Sequence, residues 1–190
     1  GDQDMVISAT GSLNFTSGVV YAPSGRLVRV NNPASSAVSS GTTSSWAWAG
    51  MVRAVNAGGG TYNFPVGNNQ SYQLFQINNL TNISGGLTEI TTDFTNPANA
   101  TGSGLPLAEG LASFDAILNN GGASPGSGNA NGGVWTVTPD AGSADYDISM
   151  VARNYDNHQA EHTVLKRTTA GPGAWEFAGS TYSSQQLNGT

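Results

Sequence analysis

The segment His158-Gln159-Ala160-Glu161-His162 is the part of the sequence whose residue types come closest to a catalytic centre. It matches the H-x-x-E-H pattern of inverted zinc proteases, which need both histidines on one helical face and a third ligand. Asn154, Asp156 and Asn157 precede the segment and indicate a turn, and its last residue begins the predicted strand His162 to Thr168. We therefore expect no zinc hydrolase and no cofactor at this loop.

Acidic residues form two small groups, which are Asp2 with Asp4 and Asp140 with Asp145 and Asp147. Paired carboxylates can bind calcium, but neither group has the spacing of a known calcium loop. Solvated positions in turns and at strand edges are the favoured interpretation. Both histidines lie in one loop, and Glu89 and Glu109 have no assignable partner for glycoside hydrolysis. The sequence therefore predicts a protein that is not an enzyme.

Four aromatic residues could form a platform for a sugar ring, namely Trp46, Trp48, Tyr62 and Tyr72. Trp46 and Trp48 are two residues apart and so share one face of a predicted strand. That face could pack into the core, which is the favoured interpretation, or it could stack on a polysaccharide. Carbohydrate binding is kept as the alternative function.

The elements around these residues are short strands separated by glycine-rich turns, a pattern typical of a β-sandwich. Helical periodicity is nearly absent, and Leu107 to Leu118 is at most a turn or one short helix. Pro65 lacks a backbone donor and predicts a strand end or sheet edge for Phe64-Pro65-Val66-Gly67. We expect an all-β, antiparallel β-sandwich of immunoglobulin-like or jelly-roll type. Its predicted strands are Met5 to Ser8, Ser12 to Phe15, Arg26 to Val30, Trp46 to Val55, Tyr72 to Ile77, Leu87 to Phe94, Val134 to Thr138, Tyr146 to Arg153, His162 to Thr168 and Ala174 to Ala178.

Composition narrows the possible functions of the chain. Charged residues make up 9% of its 190 residues and the net charge is −6, against roughly 25% charged residues in ordinary soluble domains. Six basic residues are too few for nucleic-acid binding or for an anionic membrane surface. The absence of cysteine excludes disulfides and thiol catalysis, and no apolar run predicts membrane insertion. Low charge favours an extracellular, cell-surface protein.

Several phrases resemble, in order and spacing, a β-sandwich module of secreted proteins of the Bacteroidetes. They are Tyr62-Asn63-Phe64-Pro65-Val66-Gly67, Asn131-Gly132-Gly133-Val134-Trp135-Thr136-Val137, Pro139-Asp140-Ala141-Gly142, Tyr146-Asp147-Ile148 and Thr163-Val164-Leu165-Lys166-Arg167, with Trp175 after them. The resemblance covers roughly residues 46 to 180. It implies export by the type IX secretion system and a role in a large surface protein, often behind a β-solenoid stalk.

The N-terminal segment is expected to form a β extension over residues 1–40, ahead of a β-sandwich domain over residues 41–190, with a soft boundary near Val38 to Ser45. Ala9-Thr10-Gly11-Ser12-Leu13 is similar to Pro23-Ser24-Gly25-Arg26-Leu27, which could mark two solenoid rungs.

The polar tail from Ser183 to Thr190 stops where the family pattern places a closing strand. The extension could therefore donate a strand to a neighbouring copy and build a filament. Its assembly residues would be Met5, Val6, Ile7, Leu13 and Phe15. The expected function is a structural or adhesive module, with further copies or other surface proteins as partners. A trimmed, monomeric chain is the other interpretation.

Overall fold

The computed structural model describes residues 3–23, 25–69, 71–95, 134–151, 165–166 and 176–177. This part of the chain is all β: it contains no α-helix, and one turn of 3-10 helix spans Ser35–Ala37. The strands are β1 Met5–Ile7, β2 Val20–Tyr21, β3 Leu27–Val30, β4 Ala47–Trp48, β5 Gly50–Ala54, β6 Gly60–Gly67, β7 Tyr72–Ser84, β8 Glu89–Thr95, β9 Val134–Pro139, β10 Ser143–Val151, β11 Leu165–Lys166 and β12 Glu176–Phe177. The all-β prediction is confirmed.

The first ten strands form two five-stranded sheets. Sheet A has the order β1-β3-β5-β8-β9, and sheet C has the order β2-β4-β6-β7-β10. Up to β6 the chain crosses from one sheet to the other at every strand, because odd-numbered strands enter sheet A and even-numbered strands enter sheet C. Each pair of crossings completes one coil, and three coils follow one another: residues 3–23, residues 25–48 and residues 50–67.

Successive coils are joined by parallel pairing in both sheets. In sheet A, Met5 is in register with Val28, and Val28 with Met51. In sheet C, β2 pairs with β4 and β4 with β6, again in parallel. A third link lies between the sheets, where Leu13 forms an isolated parallel bridge with Val38. The coils are therefore stacked backbone on backbone.

The remaining strands close the sheets in antiparallel fashion. β8 pairs with β5, β7 with β6, and β10 with β7. The amide of Asp140, just after β9, donates to the carbonyl of Glu89 at the start of β8, while Trp135 at the start of β9 contacts Phe94 near the end of β8. β8 and β9 therefore also run antiparallel. Both sheets are mixed, so the expectation of a purely antiparallel fold is wrong: parallel pairing needs no hairpin and leaves no turn signal in the sequence.

One hydrophobic core is shared by the two sheets. Sheet A contributes Val28, Val30 and Met51, and sheet C contributes Phe64 and Ile77, all of which are fully or almost fully buried. Phe64 and Phe75, which are register partners on β6 and β7, hold their rings 6.3 Å apart at its centre. Each such side chain stabilises the fold by roughly 1.5–3 kcal/mol on burial.

Several local expectations are corrected by this arrangement. The run from Trp46 to Val55 is two strands in different sheets, because the chain leaves sheet C after Trp48 and enters sheet A at Gly50. Phe64-Pro65-Val66-Gly67 forms the end of β6, so the expected strand end is confirmed, but Pro65 lies between β4 and β7 and not at a sheet edge. Proline is tolerated there because β4 pairs with β6 through the single register pair Ala47 and Val66. The amide donor that Pro65 lacks therefore interrupts no extended series of hydrogen bonds between these strands.

The N-terminal residues form part of both sheets. The boundary expected near Val38 to Ser45 lies inside the second coil. Leu13 and Leu27, which the short internal repeat made equivalent, instead occupy different positions, since Leu13 pairs with Val38 and Leu27 with Gly50. The spacing between paired strands in sheet A is 23 residues, from Met5 to Val28.

The chain divides into two compact units. The first comprises Gly1–Thr95 with Trp135–Arg153, and the second comprises Asn96–Val134 with Asn154–Thr190. Apart from Val134, the first residue of β9, the described part of the second unit consists of β11 and β12. These two strands pair antiparallel. The candidate helix from Leu107 to Leu118, the loop with His158 and His162, and the tail from Ser183 lie outside the described residues.

Candidate functional site

An exposed pair of aromatic rings is the most prominent surface feature of the coils. Tyr21 on β2 and Trp48 on β4 are register partners, and the amide of Val20 donates to the carbonyl of Trp46 at 2.9 Å. Parallel, in-register pairing places the two side chains on the same side of sheet C. Their ring centres are 4.5 Å apart and the rings are tilted by 46°. Tyr21 is 58% exposed and Trp48 is 39% exposed, so the pair offers a solvated aromatic surface.

Trp46 and Tyr72 do not belong to this exposed pair. Together with Leu74 they form a separate buried cluster. The indole nitrogen of Trp46 donates to the carbonyl of Asn68 at 2.9 Å, and the hydroxyl of Tyr72 donates to the carbonyl of Ser40. Both polar groups are used to fix loops, which is the usual role of buried tryptophan and tyrosine.

Tyr62 is also buried, inside the core that the sheets share. Its hydroxyl accepts a hydrogen bond from the amide of Asn56 at 2.8 Å and has the carbonyls of Pro33 and Gly59 within 3.3 Å. The four aromatics expected to form one platform are therefore not brought together. Trp48 alone of the four is exposed, and its neighbour on the surface is Tyr21.

Tyr21 was missed by sequence reasoning although a signal was present. Gly18 and the apolar, β-branched run Val19-Val20 precede it, which is a short strand pattern behind a turn residue. The run is only long enough for a two-residue strand. Its pairing with β4 depends on contacts 27 residues apart, from Val20 to Ala47, which no local pattern reveals.

Arg53 is the unusual buried group of the core. It lies on β5 in register with Val30 and Ile90, and its side chain is fully buried. Its guanidinium donates to the backbone carbonyls of Asn63, Ala34 and Ser35 at 3.3, 2.9 and 3.3 Å. Burial lowers the pKa of Arg53 to about 10.

Arg53 contacts no carboxylate among the described residues, and the acceptors of its hydrogen bonds are carbonyl oxygens. Its Nε has no hydrogen-bond partner there. We interpret Arg53 as a clamp that ties the Ser35–Ala37 turn to β5 and β6, and not as a binding residue.

The five residues expected to take part in assembly divide into two groups. Leu13 and Phe15 pack into their own core, Leu13 through its bridge to Val38. Met5 and Val6 are exposed on β1, which is the edge of sheet A, while Ile7 is half-buried against the core. Donation of this segment to a neighbour would have to remove Leu13 and Phe15 from the core.

The acidic residues near the β9–β10 turn are occupied by hydrogen bonds. The carboxylate of Asp140 accepts from the amides of Thr88 and Glu89 at 3.0 Å and from the hydroxyl of Thr88 at 2.5 Å. These bonds, with that from the Thr88 hydroxyl foremost, lower the pKa of Asp140 to about 2. The side-chain amides of Asn82 and Asn79 donate to Asp145 and Asp147 at 2.6 and 2.9 Å.

The described residues contain no group of three metal-ligating side chains. Within the same ranges no helix is long and apolar enough to cross a membrane. Comparison with known proteins finds no matching family model, no similar curated protein and no similar solved structure. The candidate functional site is therefore defined by geometry: the exposed edge of the first coil and the Tyr21–Trp48 pair beside it.

Proposed function

We propose that the chain is a non-enzymatic structural or adhesive module of an extracellular assembly. The stacking of three coils through β1-β3-β5 and β2-β4-β6 is the observation that carries this proposal. Backbone stacking of successive coils is the principle by which repeat proteins build extended scaffolds. The coils form a short solenoid, and the antiparallel strands that follow complete a β-sandwich on the same core.

The composition supports an extracellular setting. Charged residues are 9% of the chain, so its solubility depends on hydroxyl and amide groups. Asp145 and Asp147 accept hydrogen bonds from asparagine amides, while Glu89 forms an ion pair with Arg29. A surface with so few charged residues depends little on ion pairs, which salt weakens.

We further propose that the module belongs to the surface proteins of the Bacteroidetes that use type IX secretion. The support is the order of the motifs that carry the resemblance. Tyr62 to Gly67 lie in β6, Trp135 to Val137 in β9 and Tyr146 to Ile148 in β10, so these residues lie in strands of one compact unit.

Removal of the gene segment that encodes this chain from its producing organism tests the structural role. Cells lacking it should grow normally in suspension but lose cohesion or attachment to a surface, and the wild-type segment should restore both. Normal attachment together with a defect in nutrient use would contradict the proposal, because that result would indicate a catalytic or transport role.

Carbohydrate binding is the second candidate, and the Tyr21–Trp48 pair favours it. Two solvated aromatic rings on neighbouring strands present apolar faces of the size of a sugar ring, and exposed apolar groups of this kind mark interaction sites. The class of ligand would be a polysaccharide that lies across β2 and β4.

Pull-down on insoluble polysaccharides tests this candidate. Tyr21→Ala or Trp48→Ala should weaken retention at least about tenfold, the loss typical of an interface hot spot. Tyr146→Ala is the matched control, because Tyr146 is also a tyrosine and is 56% exposed on β10. Equal retention of all three variants would show that the aromatic pair does not bind the polysaccharide.

A further inference from the structure

We propose that the Tyr21–Trp48 pair binds one sugar residue of a neutral polysaccharide chain, and that it binds neither acidic polysaccharides nor flat crystalline ones. The inference rests on carbohydrate binding, the second candidate function proposed above, and it names the class of ligand. The surface concerned is the outer face of sheet C, on which both rings lie.

The pair lies on the face of sheet C, so its exposure does not depend on the edge of the sheet. Ala47 and its register partner Val66 are buried in the core, and side chains alternate along a strand, so Trp48 lies on the outer face. β4 pairs with β2 on one side and with β6 on the other, yet Trp48 is 39% exposed. A further strand beside β2 would lie in the plane of the sheet and would leave this face open.

The geometry of the two rings suits one sugar residue and not a row of them. Their centres are 4.5 Å apart, at the short end of the roughly 4.5–7 Å range of aromatic pairs. Rings at this separation touch each other and do not lie side by side in one plane. Two successive sugar residues would need two separated rings, whereas this pair offers a single contact surface.

A flat crystalline face does not match this arrangement. The chains of such a face lie in one plane, so a protein surface that binds it has to present its rings in a plane as well. Because the rings of the pair are tilted by 46°, a flat face that rests on one ring meets the other at its edge. A single chain, in solution or in amorphous material, can turn its sugar ring to fit.

The strands around the pair carry no charge. β2, β4, β6 and β7 contain no Asp, Glu, Lys or Arg, and neither do residues 16–22 and 39–49, which include the pair. The charged residues in the strands of sheet C are Asp145 and Asp147 on β10, which is separated from β4 by β6 and β7. The local surface is therefore neutral, with acids farther along the same sheet.

The basic residues near the pair in sequence are not placed to hold an anion on this face. Arg53 is buried and donates to backbone carbonyls in the core, Arg29 on sheet A forms an ion pair with Glu89, and Arg26 follows β2 where the chain leaves sheet C for sheet A. A carboxylate or sulfate bound at the pair would leave water without a partner of opposite charge, which is costly. A neutral sugar, whose ring carbons are apolar, has no such cost.

Retention on beads that carry one polysaccharide each tests the class of ligand. Dextran, mannan, amylose and arabinoxylan are the neutral probes, and alginate and polygalacturonate are the acidic ones. At least one neutral probe should retain the chain, with an affinity that changes less than about twofold between roughly 50 and 500 mM sodium chloride. Neither acidic probe should retain it at the higher salt concentration, where the general repulsion from a chain of net charge −6 is screened. Crystalline cellulose and crystalline chitin should leave the chain in solution.

Three variants and one control assign the binding to the pair. Trp48→Ala and Tyr21→Ala should weaken retention on the neutral probe at least about tenfold, while Trp48→Phe, which keeps an aromatic face, should retain most of it. Tyr146→Ala should bind as the wild type does, because Tyr146 is 56% exposed on β10, beside the two acids. Urea titration of each variant shows that it is folded.

The outcomes separate this inference from the candidate function on which it rests. Retention on an acidic probe or on crystalline cellulose that Trp48→Ala abolishes would support carbohydrate binding but overturn the neutral, single-chain class of ligand. Loss of neutral binding at high salt would overturn it as well. Neutral binding that is unaffected by Trp48→Ala and Tyr21→Ala would overturn the assignment to the pair. A chain that none of the probes retains would overturn both the inference and the candidate function.

Discussion

The guanidinium carbon of Arg53 lies 5.0 Å from the centre of the Tyr62 ring, inside the core that the two sheets share. A cation over an aromatic face is attracted by the ring electrons, and the attraction grows when water is excluded. The two side chains also share a task, since Arg53 donates to the carbonyls of Ala34 and Ser35 and Tyr62 lies within hydrogen-bonding distance of the carbonyl of Pro33. Together they hold the loop that joins β3 to β4.

Arg53→Ala should lower the free energy of unfolding by about 3 kcal/mol, because it leaves a cavity and removes the donors of three carbonyls. Urea titration of the purified chain measures this change. Arg29→Ala is the control: Arg29 forms an ion pair with Glu89 at 2.6 Å, with about a third of each side chain exposed, and such pairs contribute about 1 kcal/mol or less. Equal losses for the two variants would contradict the role of Arg53.

Substitution of Arg53 by lysine separates two contributions to stability, the three hydrogen bonds of the guanidinium and its positive charge. A compact ammonium cannot reach three carbonyls that a planar guanidinium reaches, so Arg53→Lys should recover less than half of the loss seen with Arg53→Ala. Full recovery in the same urea titration would show that the positive charge over Tyr62 is what matters.

The pH dependence of stability should reflect Asp140. Its folded pKa is lowered from 3.8 to about 2, so the ionised carboxylate stabilises the fold above pH 3.8 and this contribution is lost as pH falls toward 2. Asp140→Asn should therefore melt at a lower temperature than the wild type at pH 7, and the difference should shrink between pH 4 and pH 2. Thermal melts of both proteins over this range measure it.

Thr88→Val provides the cross-check on this assignment, because the hydroxyl of Thr88 is the foremost cause of the lowered pKa. In the Thr88→Val background the effect of Asp140→Asn should be smaller at pH 7. If the difference in melting temperature between wild type and Asp140→Asn stays constant from pH 7 to pH 2, ionisation of Asp140 is not its cause.

Gly59 should be the least replaceable glycine of the coils. Its φ is +77°, and a Cβ at this position would lie 1.7 Å from the carbonyl oxygen of Leu80. Gly86 has a φ of +84° but open space around it, so Gly86→Ala reports the cost of the backbone conformation alone, about 1–2 kcal/mol. Gly59→Ala should be less stable by at least about a further 2 kcal/mol. Similar urea midpoints for the two variants would contradict the close approach of Gly59 to Leu80 on β7.

The sequence was sufficient to predict an all-β chain and many of its individual strands. β1, β3, β8, β9 and β10 fall within a few residues of their predicted positions, because each carries β-branched or alternating residues between turn signals. The sequence indicated β6, which includes Pro65, and the two-residue β2 less clearly. A proline and a very short run both weaken the local signal, although the partner strands supply the pairing.

The topology could not be predicted from these patterns. Alternation in the run from Trp46 to Val55 continues through Ala49, where the chain changes sheets, because a change of sheet does not interrupt the side-chain period. The exposed pair was missed for a related reason. Tyr21 and Trp48 meet only through parallel pairing of coils 27 residues apart, and long-range parallel pairing has no local signature.

The extracellular role can be tested directly with a single introduced thiol, because the natural chain contains no cysteine. Ala57→Cys places a thiol in the exposed turn between β5 and β6, and Ala47→Cys places one at a fully buried position. On intact producing cells, a membrane-impermeant maleimide should label Ala57→Cys, while Ala47→Cys should react only after denaturation. Labelling of Ala57→Cys that appears only after the cells are lysed would contradict the extracellular role of the chain.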